Sequence, residues 1–371
     1  MSEETKKAPA IRFQGFTDDW EQRELKEILK VNSGRDYKHL GSGSIPVYGT
    51  GGYMLSVNDK LSDKDAIGIG RKGTIDKPQY LKAPFWTVDT LFFMIPLNNF
   101  DLQFLYTMTQ KINWKKMDES TGVPSLSKAV IEKVNQNIPS YQEQIKIGGF
   151  FKQLDNTIAL HQQKQRQIRS LKQGFIKNLF PNNKNSAPRI RFSIFNDDWN
   201  QRNASEIFTS VSDKNYPELP VLSASQEKGM VLRESNGIDI KYDQKSTGTY
   251  KRVLPGQFVM HLRSFQGGFA YSTIEGITSP AYTILAFRNK EDHYPLFWKS
   301  IFSSKNFIKR LEAITYGIRD GRSISYADFS TLRFWIPSYE EQKQIGDFIE
   351  SIDATIAFYQ RQIDMMQSLK K

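Results

Sequence analysis

The chain has 371 residues, room for two or three domains, and carries 51 Lys and Arg against 40 Asp and Glu, a formal charge of +11. That excess favours an acidic partner, either nucleic acid or an anionic surface. Cysteine is absent and the four histidines (His39, His161, His261 and His293) are scattered, which excludes a disulfide scaffold, a thiolate metal site, a Cys nucleophile and a His metal cluster.

The first residues, MSEETKK, are polar and partly acidic, unlike a leader that is basic and then apolar. The apolar run Leu91 to Ile95 is far below bilayer-spanning length, so a cytoplasmic chain without membrane contact is expected. From Pro9 to Leu29 the sequence reads PAIRFQGFTDDWEQRELKEIL. Asp18-Asp19-Trp20 has the look of a carboxylate pair for metal or acid–base work. Yet Arg12 and Arg23 flank it, and no further acid or ligand completing a catalytic set is identified. A structural role is therefore expected, with the arginines neutralising the aspartates and Trp20 buried.

Next comes GSGSIPVYGTGGY, Gly41 to Tyr53. Its glycines allow close backbone approach, and Ser42, Ser44, Tyr48, Thr50 and Tyr53 are candidate DNA contacts. Gly68 to Gly73 fits G-x-G-x-x-G, but the following Thr74-Ile75-Asp76-Lys77-Pro78 makes a poor helix. A glycine-rich turn presenting Arg71, Lys72 and Thr74 is expected there instead of a dinucleotide site. Phe85-Trp86 and Leu91 to Ile95, ended by Pro96, read as core strands.

Ile138-Pro139-Ser140 then opens a long stretch without proline, with Ser140 placed as an N-cap. Seam positions fall at Ile147, Phe151, Leu154, Ile158, His161, Gln165, Ile168 and Leu171, and Phe175 and Leu179 continue the stripe. This heptad-like spacing is that of a helix packed on another helix. A helix of a globular core also shows an apolar stripe, but about 40 residues is long for one. At ~1.5 Å per residue it makes a rod of about 60 Å, about one to two turns of DNA.

After the polar linker PNNKNSAP (Pro181 to Pro188) the chain starts over. Pro188 to Phe208 repeats Pro9 to Leu29 at an offset of 179, with 12 of 21 positions identical, including Arg191, Asp197-Asp198-Trp199 and Arg202. In the new middle segment Ser223, Ser225, Gln226 and Lys228 lie in one expected turn. Met260 to Tyr271 sets His261, Arg263, Ser264, Gln266 and Tyr271 around Gly267 and Gly268. Arg and Gln hold purine edges in bidentate fashion, while Ser, Thr, Lys and backbone amides hold phosphates. Each of these loops, taken alone, also reads as an ordinary turn. Ile336 to Lys370 repeats Ile138 to Lys172 at an offset of 198, with 17 of 35 positions identical. Its stripe is Ile345, Ile349, Ile352, Ile356, Tyr359, Ile363, Met366 and Leu369. The middles, 30–121 and 209–319, show no residue alignment. Two similar frames with dissimilar middles imply the same kind of job on two different targets.

Catalytic motifs are missing. The sequence has no Gly-Lys dipeptide for a Walker A loop, no adjacent prolines for the Asp/Asn-Pro-Pro-aromatic motif of amino-methyltransferases, and no G-x-S-x-G.

The doubled IRF…F..DW.Q opening, the doubled IPSY.EQ..IG.F helix, GSGSIPVYGTGGY followed by GRKGTI, and GITSPAY (Gly276 to Tyr282) resemble the specificity subunits of type I restriction-modification systems. The resemblance covers nearly the whole chain. It implies an α+β fold with two mixed α/β target recognition domains, joined by two long helices in an antiparallel coiled coil, as a pseudo-twofold internal repeat. The expected division is 1–137 and 189–335 for the recognition domains with their opening segments, 138–180 and 336–371 for the helices, and 181–188 for the linker. The implied function is to recognise a bipartite, asymmetric double-stranded DNA target while docking two methyltransferase (modification) subunits and the restriction (motor-nuclease) subunits. Such a chain is non-catalytic and binds no cofactor. Adenine-N6 methylation from S-adenosylmethionine and ATP-driven cleavage with Mg belong to the partners. The second helix stops opposite Gln173, which leaves open how completely Phe175 and Leu179 are covered within the chain, a methyltransferase being one candidate cover. Two other classes stay open at this point: an architectural DNA-bridging protein without catalytic activity, and a self-sufficient DNA-modifying enzyme.

Overall fold

In each copy the two repeated motifs, far apart in sequence, pair with each other. The computed structural model describes residues 8–181, 186–225, 228–236, 244–261, 268–314 and 325–370. These residues divide into two units, one reaching Leu160 and including Met365 to Lys370, the other running from His161 to Asp364.

The first unit contains β1 (Glu21–Glu24), β2 (Leu29–Ser33), β3 (Ser42–Gly49), β4 (Gly52–Val57), β5 (Ala66–Gly70), β6 (Gln79–Leu81), β7 (Trp86–Thr87) and β8 (Leu91–Pro96). It continues with α1 (Leu102–Thr109), α2 (Lys128–Glu132), β9 (Asn135–Ile138) and the start of α3 (Tyr141–Leu179). β1 pairs antiparallel with β9, Glu21 opposite Ile138, so the opening segment meets the strand that leads into α3. A four-stranded sheet runs β2-β8-β5-β6, and β3 lies between β4 and, in parallel, β7.

The unbroken apolar run of β8 has a physical reason. Phe92 and Met94 face one core together with Ile67, Ile69, Phe104 and Trp114, whereas Leu91 and Phe93 face a second core with Val47, Phe85 and Trp86. Strand side chains alternate faces, and a sheet covered on both faces needs apolar residues at every position. Each side chain so buried contributes about 1.5–3 kcal/mol.

The second unit comprises β10 (Asn200–Asn203), α4 (Ala204–Ile207), β11 (Phe208–Val211), β12 (Leu222–Ser225), β13 (Gly229–Leu232), β14 (Lys251–Val253), β15 (Phe258–Met260) and β16 (Phe269–Tyr271). Then follow β17 (Gly276–Thr278), β18 (Thr283–Phe287), α5 (Pro295–Phe302), α6 (Lys305–Ile314), α7 (Tyr326–Ser330), β19 (Arg333–Ile336) and α8 (Tyr339–Leu369). β10 pairs with β19, Asn200 opposite Ile336, and the main sheet runs β11-β18-β15-β16. The order of the main sheet and of the opening pair is the same in both units although their middles do not align as sequence. The equivalence reaches single turns. Leu40 N donates to Tyr37 O at 2.9 Å and Leu219 N to Tyr216 O at 3.1 Å. Likewise Leu91 N donates to Val88 O at 3.0 Å and Tyr282 N to Ser279 O at 3.1 Å.

The structure accounts for the repeated IPSY.EQ..IG motif residue by residue. Ser140 and Ser338 cap the helices, accepting from Glu143 N and Glu341 N at 3.4 and 3.3 Å. Glu143, 1% exposed, accepts a two-pronged bond from Arg12 at 2.9 and 2.6 Å, and Glu341 does so from Arg191 at 2.7 Å twice. Gln144 accepts from Asp101 N and donates to Pro139 O, both at 2.9 Å. Gln342 accepts from Tyr294 N at 3.1 Å and donates to Asp292 O at 2.9 Å. These glutamines therefore fasten the N-terminal ends of α1 and α5. Gly148 and Gly346 make the approach possible: a Cβ would stand 2.6 Å from Phe104 N in the first and 2.8 Å from Phe297 N in the second.

Arg12 and Arg191 thus serve the buried glutamates first, and the charges of Asp18, Asp19, Asp197 and Asp198 add to the field that holds the two guanidinium pKa values up; Arg191 also donates to Asp197 O at 2.5 Å. Arg23 pairs with Glu21 at 2.6 Å and Arg202 with Glu206 at 3.9 Å. Of the two tryptophans, Trp199 is 2% exposed while Trp20 is half-buried against Phe104.

Three seam expectations are corrected. Ile147 and Ile345 pack into the cores of their own units, because the glycine beside each draws α1 or α5 against the long helix. Leu171 and Leu369 are 60% and 61% exposed. Phe175 and Leu179 need no outside cover: Phe175 lies edge-on to Phe348 at 5.0 Å, and Leu179 is 2% exposed.

Within the second unit α3 meets α8 in opposite senses. His161 lies against Tyr359, Gln165 donates to Gln360 at 2.9 Å, Lys172 binds Asp353 at 2.5 Å, and Phe175 reaches Phe348. In the first unit Asp155 binds Lys370 at 2.6 Å. Ile158, Ile349, Ile356, Ile363 and Met366 are buried, and Phe151, Leu154, Ile168 and Ile352 are half-buried. Among the described residues no helix is long and apolar enough to cross a membrane.

Candidate nucleic-acid interface

The β3–β4 hairpin turns at Thr50-Gly51, and Gly52, at φ +109°, takes a backbone conformation that favours glycine. Beside this turn lies a cleft of about 650 Å³ lined by Asp36 to Lys38, Gly49 to Met54 and Val88 to Thr90. Thr50 and Tyr53, singled out from sequence, line it; Tyr53 is 63% exposed and stands edge-on to Tyr48. Exposed rings beside hydroxyls are suited to stacking on bases and to holding phosphates.

Arg71 and Lys72 are exposed on the turn after β5, and both of their backbone amides donate to Thr90 O, at 2.8 and 3.4 Å. The turn carrying the two cations is thus fastened to the cleft wall. No helix follows it. Gly70 lets the backbone of Thr74 approach to 2.1 Å from where a Cβ would be, so the glycines serve a tight turn. Ser42 and Ser44 are not gathered with these residues. They sit at the start of β3, at the other end of the hairpin from Thr50, where the pairing slips between Ser42 and Ile45.

In the second unit Ser223 accepts from Arg233 at 3.3 Å, Ser225 accepts from Lys228 N at 3.3 Å, and Lys228 is exposed. Gln226, Arg263, Ser264 and Gln266 lie outside the described residues. His261 stands 6.0 Å from the Tyr282 ring. Tyr271 turns out to be a core residue, packed on Phe258 with its hydroxyl pKa raised by burial. The pairing of β15 with β16 sets its half-buried ring beside Phe258.

Strand β14, paired with β17, distinguishes this unit from the first. Its Lys251 donates to Tyr282 O at 2.7 Å, and its Arg252 binds Glu275 at 2.7 Å and lies 4.5 Å over the Tyr216 ring. Burial and the neighbouring Lys214 hold the Lys251 pKa below its ordinary value. The Tyr216 and Tyr282 segments of the second unit are thus met by Lys251 and by an Arg252 that is also paired with Asp213 and Glu275.

Sequence reasoning missed Asp36 to Lys38 and Val88 to Thr90. A signal existed for the former: Tyr37-x-x-Leu40 recurs as Tyr216-x-x-Leu219 at the offset of the opening repeat, 179.

Residues 17–170 match the family model described as the type I restriction modification DNA specificity domain. The fold resembles that of a type I restriction-modification system S subunit from M. genitalium, with TM-score 0.66 and 14% identity over 99% of this chain and 96% of that one. It also resembles a chain from a structural study of complex assembly and conformational transition of the type I R-M system, with TM-score 0.52 and 14% identity over 96% of each chain. At such identities the structural likeness establishes a shared mixed α+β fold.

Proposed function

We propose that the chain, whose residues 17–170 match the model of the type I restriction modification DNA specificity domain, serves as the non-catalytic specificity subunit of such a complex, reading a bipartite, asymmetric double-stranded DNA target. The carrying observation is the doubled framework with dissimilar contents. Both units share the strand order of the main sheet, yet one places Asp36, Lys38 and Asp89 around a cleft where the other sets Lys251 and an Arg252 paired with Asp213 and Glu275. Each unit would read one half-site through side chains set on a common frame.

In this reading 1–137 and 189–335 are the recognition domains, 181–188 is the linker, and 138–180 and 336–371 form an antiparallel coiled coil that spaces the half-sites. The reversed contacts of α3 and α8 support that role. Thr50, Tyr53, Arg71, Lys72 and Lys228 are the described residues best placed to meet DNA. Methyltransferase subunits dock on the helices and opening segments, and S-adenosylmethionine, ATP and Mg are held by the partners. An architectural DNA bridge has no use for two unlike readers.

The test is mass spectrometry of what co-purifies with the tagged full chain from its native cell in moderate salt. A methyltransferase in about twofold excess is the expected result. Recovery of the chain alone, soluble and monodisperse, would overturn the proposal and favour the architectural reading.

A further inference from the structure

We infer that Asp89 is a specificity-determining residue of the first unit, accepting a hydrogen bond from the exocyclic amino group of an adenine or a cytosine in the half-site that this unit reads. The inference rests on the specificity-subunit reading and adds to it a residue and a class of base.

Asp89 is exposed on the turn between β7 and β8 and lines the cleft beside Thr50 and Tyr53. The turn is held by backbone from several sides. Val88 N donates to Tyr48 O at 3.0 Å, Arg35 N to Thr87 O at 2.9 Å, and Arg71 N to Thr90 O at 2.8 Å. Gly34 packs so closely that a Cβ there would stand 2.0 Å from Val88 O. A side chain on so well fastened a turn is preorganised. Among the described residues its carboxylate has no hydrogen bond or ion pair.

An ionised carboxylate is an acceptor only, and phosphates repel it. On a surface that faces DNA it is tolerated where it meets a donor, and the donors on base edges in the major groove are the amino groups of adenine and cytosine. Asp36 lines the same cleft, but its carboxylate accepts from Lys38 N at 3.4 Å and so shapes its own turn. At the corresponding turn of the second unit, Ser279 to Tyr282, the residue in the place of Asp89 is Pro280, which offers no acceptor side chain. The two units therefore differ at this position in the way that readers of different half-sites would.

The test uses the full chain with its co-purified methyltransferase and a duplex library randomised across the target, the bound fraction being sequenced. Asp89→Ala is expected to lower the preference for one amino-bearing base at one position by roughly 5- to 150-fold. Affinity for random duplex should rise, because a negative charge near the phosphates is gone. Asp89→Asn, which keeps the shape, should shift the preference at that position towards adenine, whose edge an amide binds in bidentate fashion. Duplexes carrying purine in place of adenine, or 2-pyrimidinone in place of cytosine, then identify which amino group is read. Unchanged preference at every position in both variants would overturn the inference, as would equal loss of specific and random binding. A wild-type complex with no preferred sequence would overturn the specificity-subunit reading and the role of Asp89 with it.

Discussion

The most instructive side chain at the residue scale is one that is absent. Gly148 and Gly149 are neighbours on α3, yet a Cβ at the first would meet Phe104 N at 2.6 Å while one at the second would meet nothing within 4 Å. Gly148→Ala should therefore destabilise by about 1–3 kcal/mol through forced displacement of α1. Gly149→Ala should be neutral or stabilise by up to about 1 kcal/mol through helix propensity. Urea unfolding midpoints of the two variants check this pair. A second residue sets a pH response. His293 is buried against Phe287 and Trp298, and desolvation lowers its pKa to about 4, with Asp292 opposing and Arg202 adding slightly. The unfolded chain binds this proton near pH 6.5 and the folded chain only near 4, so between those values the unfolded state holds more protons. Stability should fall as pH drops through that window, and His293→Phe should flatten the fall in the unfolding midpoint.

At the scale of elements, periodicity located both long helices but not the use of every position on them. The stripe beginning at Ile147 and Ile345 is continuous in sequence, yet its first member in each copy belongs to a globular core and Leu171 and Leu369 face outwards. Spacing reports which residues share a helix face; it does not report what lies against that face. Near Leu171 the contact is ionic, Lys172 binding Asp353 at 2.5 Å, and further along it is polar, Gln165 donating to Gln360. Gln165 is buried and also donates to Ile356 O at 3.3 Å, and a buried polar side chain in an apolar seam fixes register at some expense of stability. Lys172→Asp should weaken the second unit by about 0.5–1 kcal/mol, and adding Asp353→Lys should restore most of it. A double-mutant cycle on unfolding midpoints decides the point. Full additivity would mean that the two side chains do not interact in solution.

For the whole molecule, the repeats made the doubled plan legible because paired elements need matching residues at their contacts: Arg12 with Glu143, Gln144 with α1, and their copies. The middles hid their kinship for the opposite reason. A strand covered on both faces demands only apolar character, so Ile67 and Phe258 hold the same place on one frame without identity. The candidate site was legible in part. Glycines announced the hairpin turn and the cationic turn, but the cleft also needs Asp36 to Lys38 and Val88 to Thr90, which pairing of distant strands brings together. Ser42 and Ser44 are not gathered with the cleft because a strand of eight residues carries its ends about 25 Å apart.

The central claim is that each unit reads its own half of one target, and exchange of a single middle tests it most directly. Residues 30–121 would be replaced by the corresponding segment of another specificity subunit, and the sequence methylated by the reconstituted complex mapped on genomic DNA. The account predicts that one half-site changes to that of the donor while the other half-site and the spacer length stay as they were. A target that changes in both halves, or in neither, would contradict it.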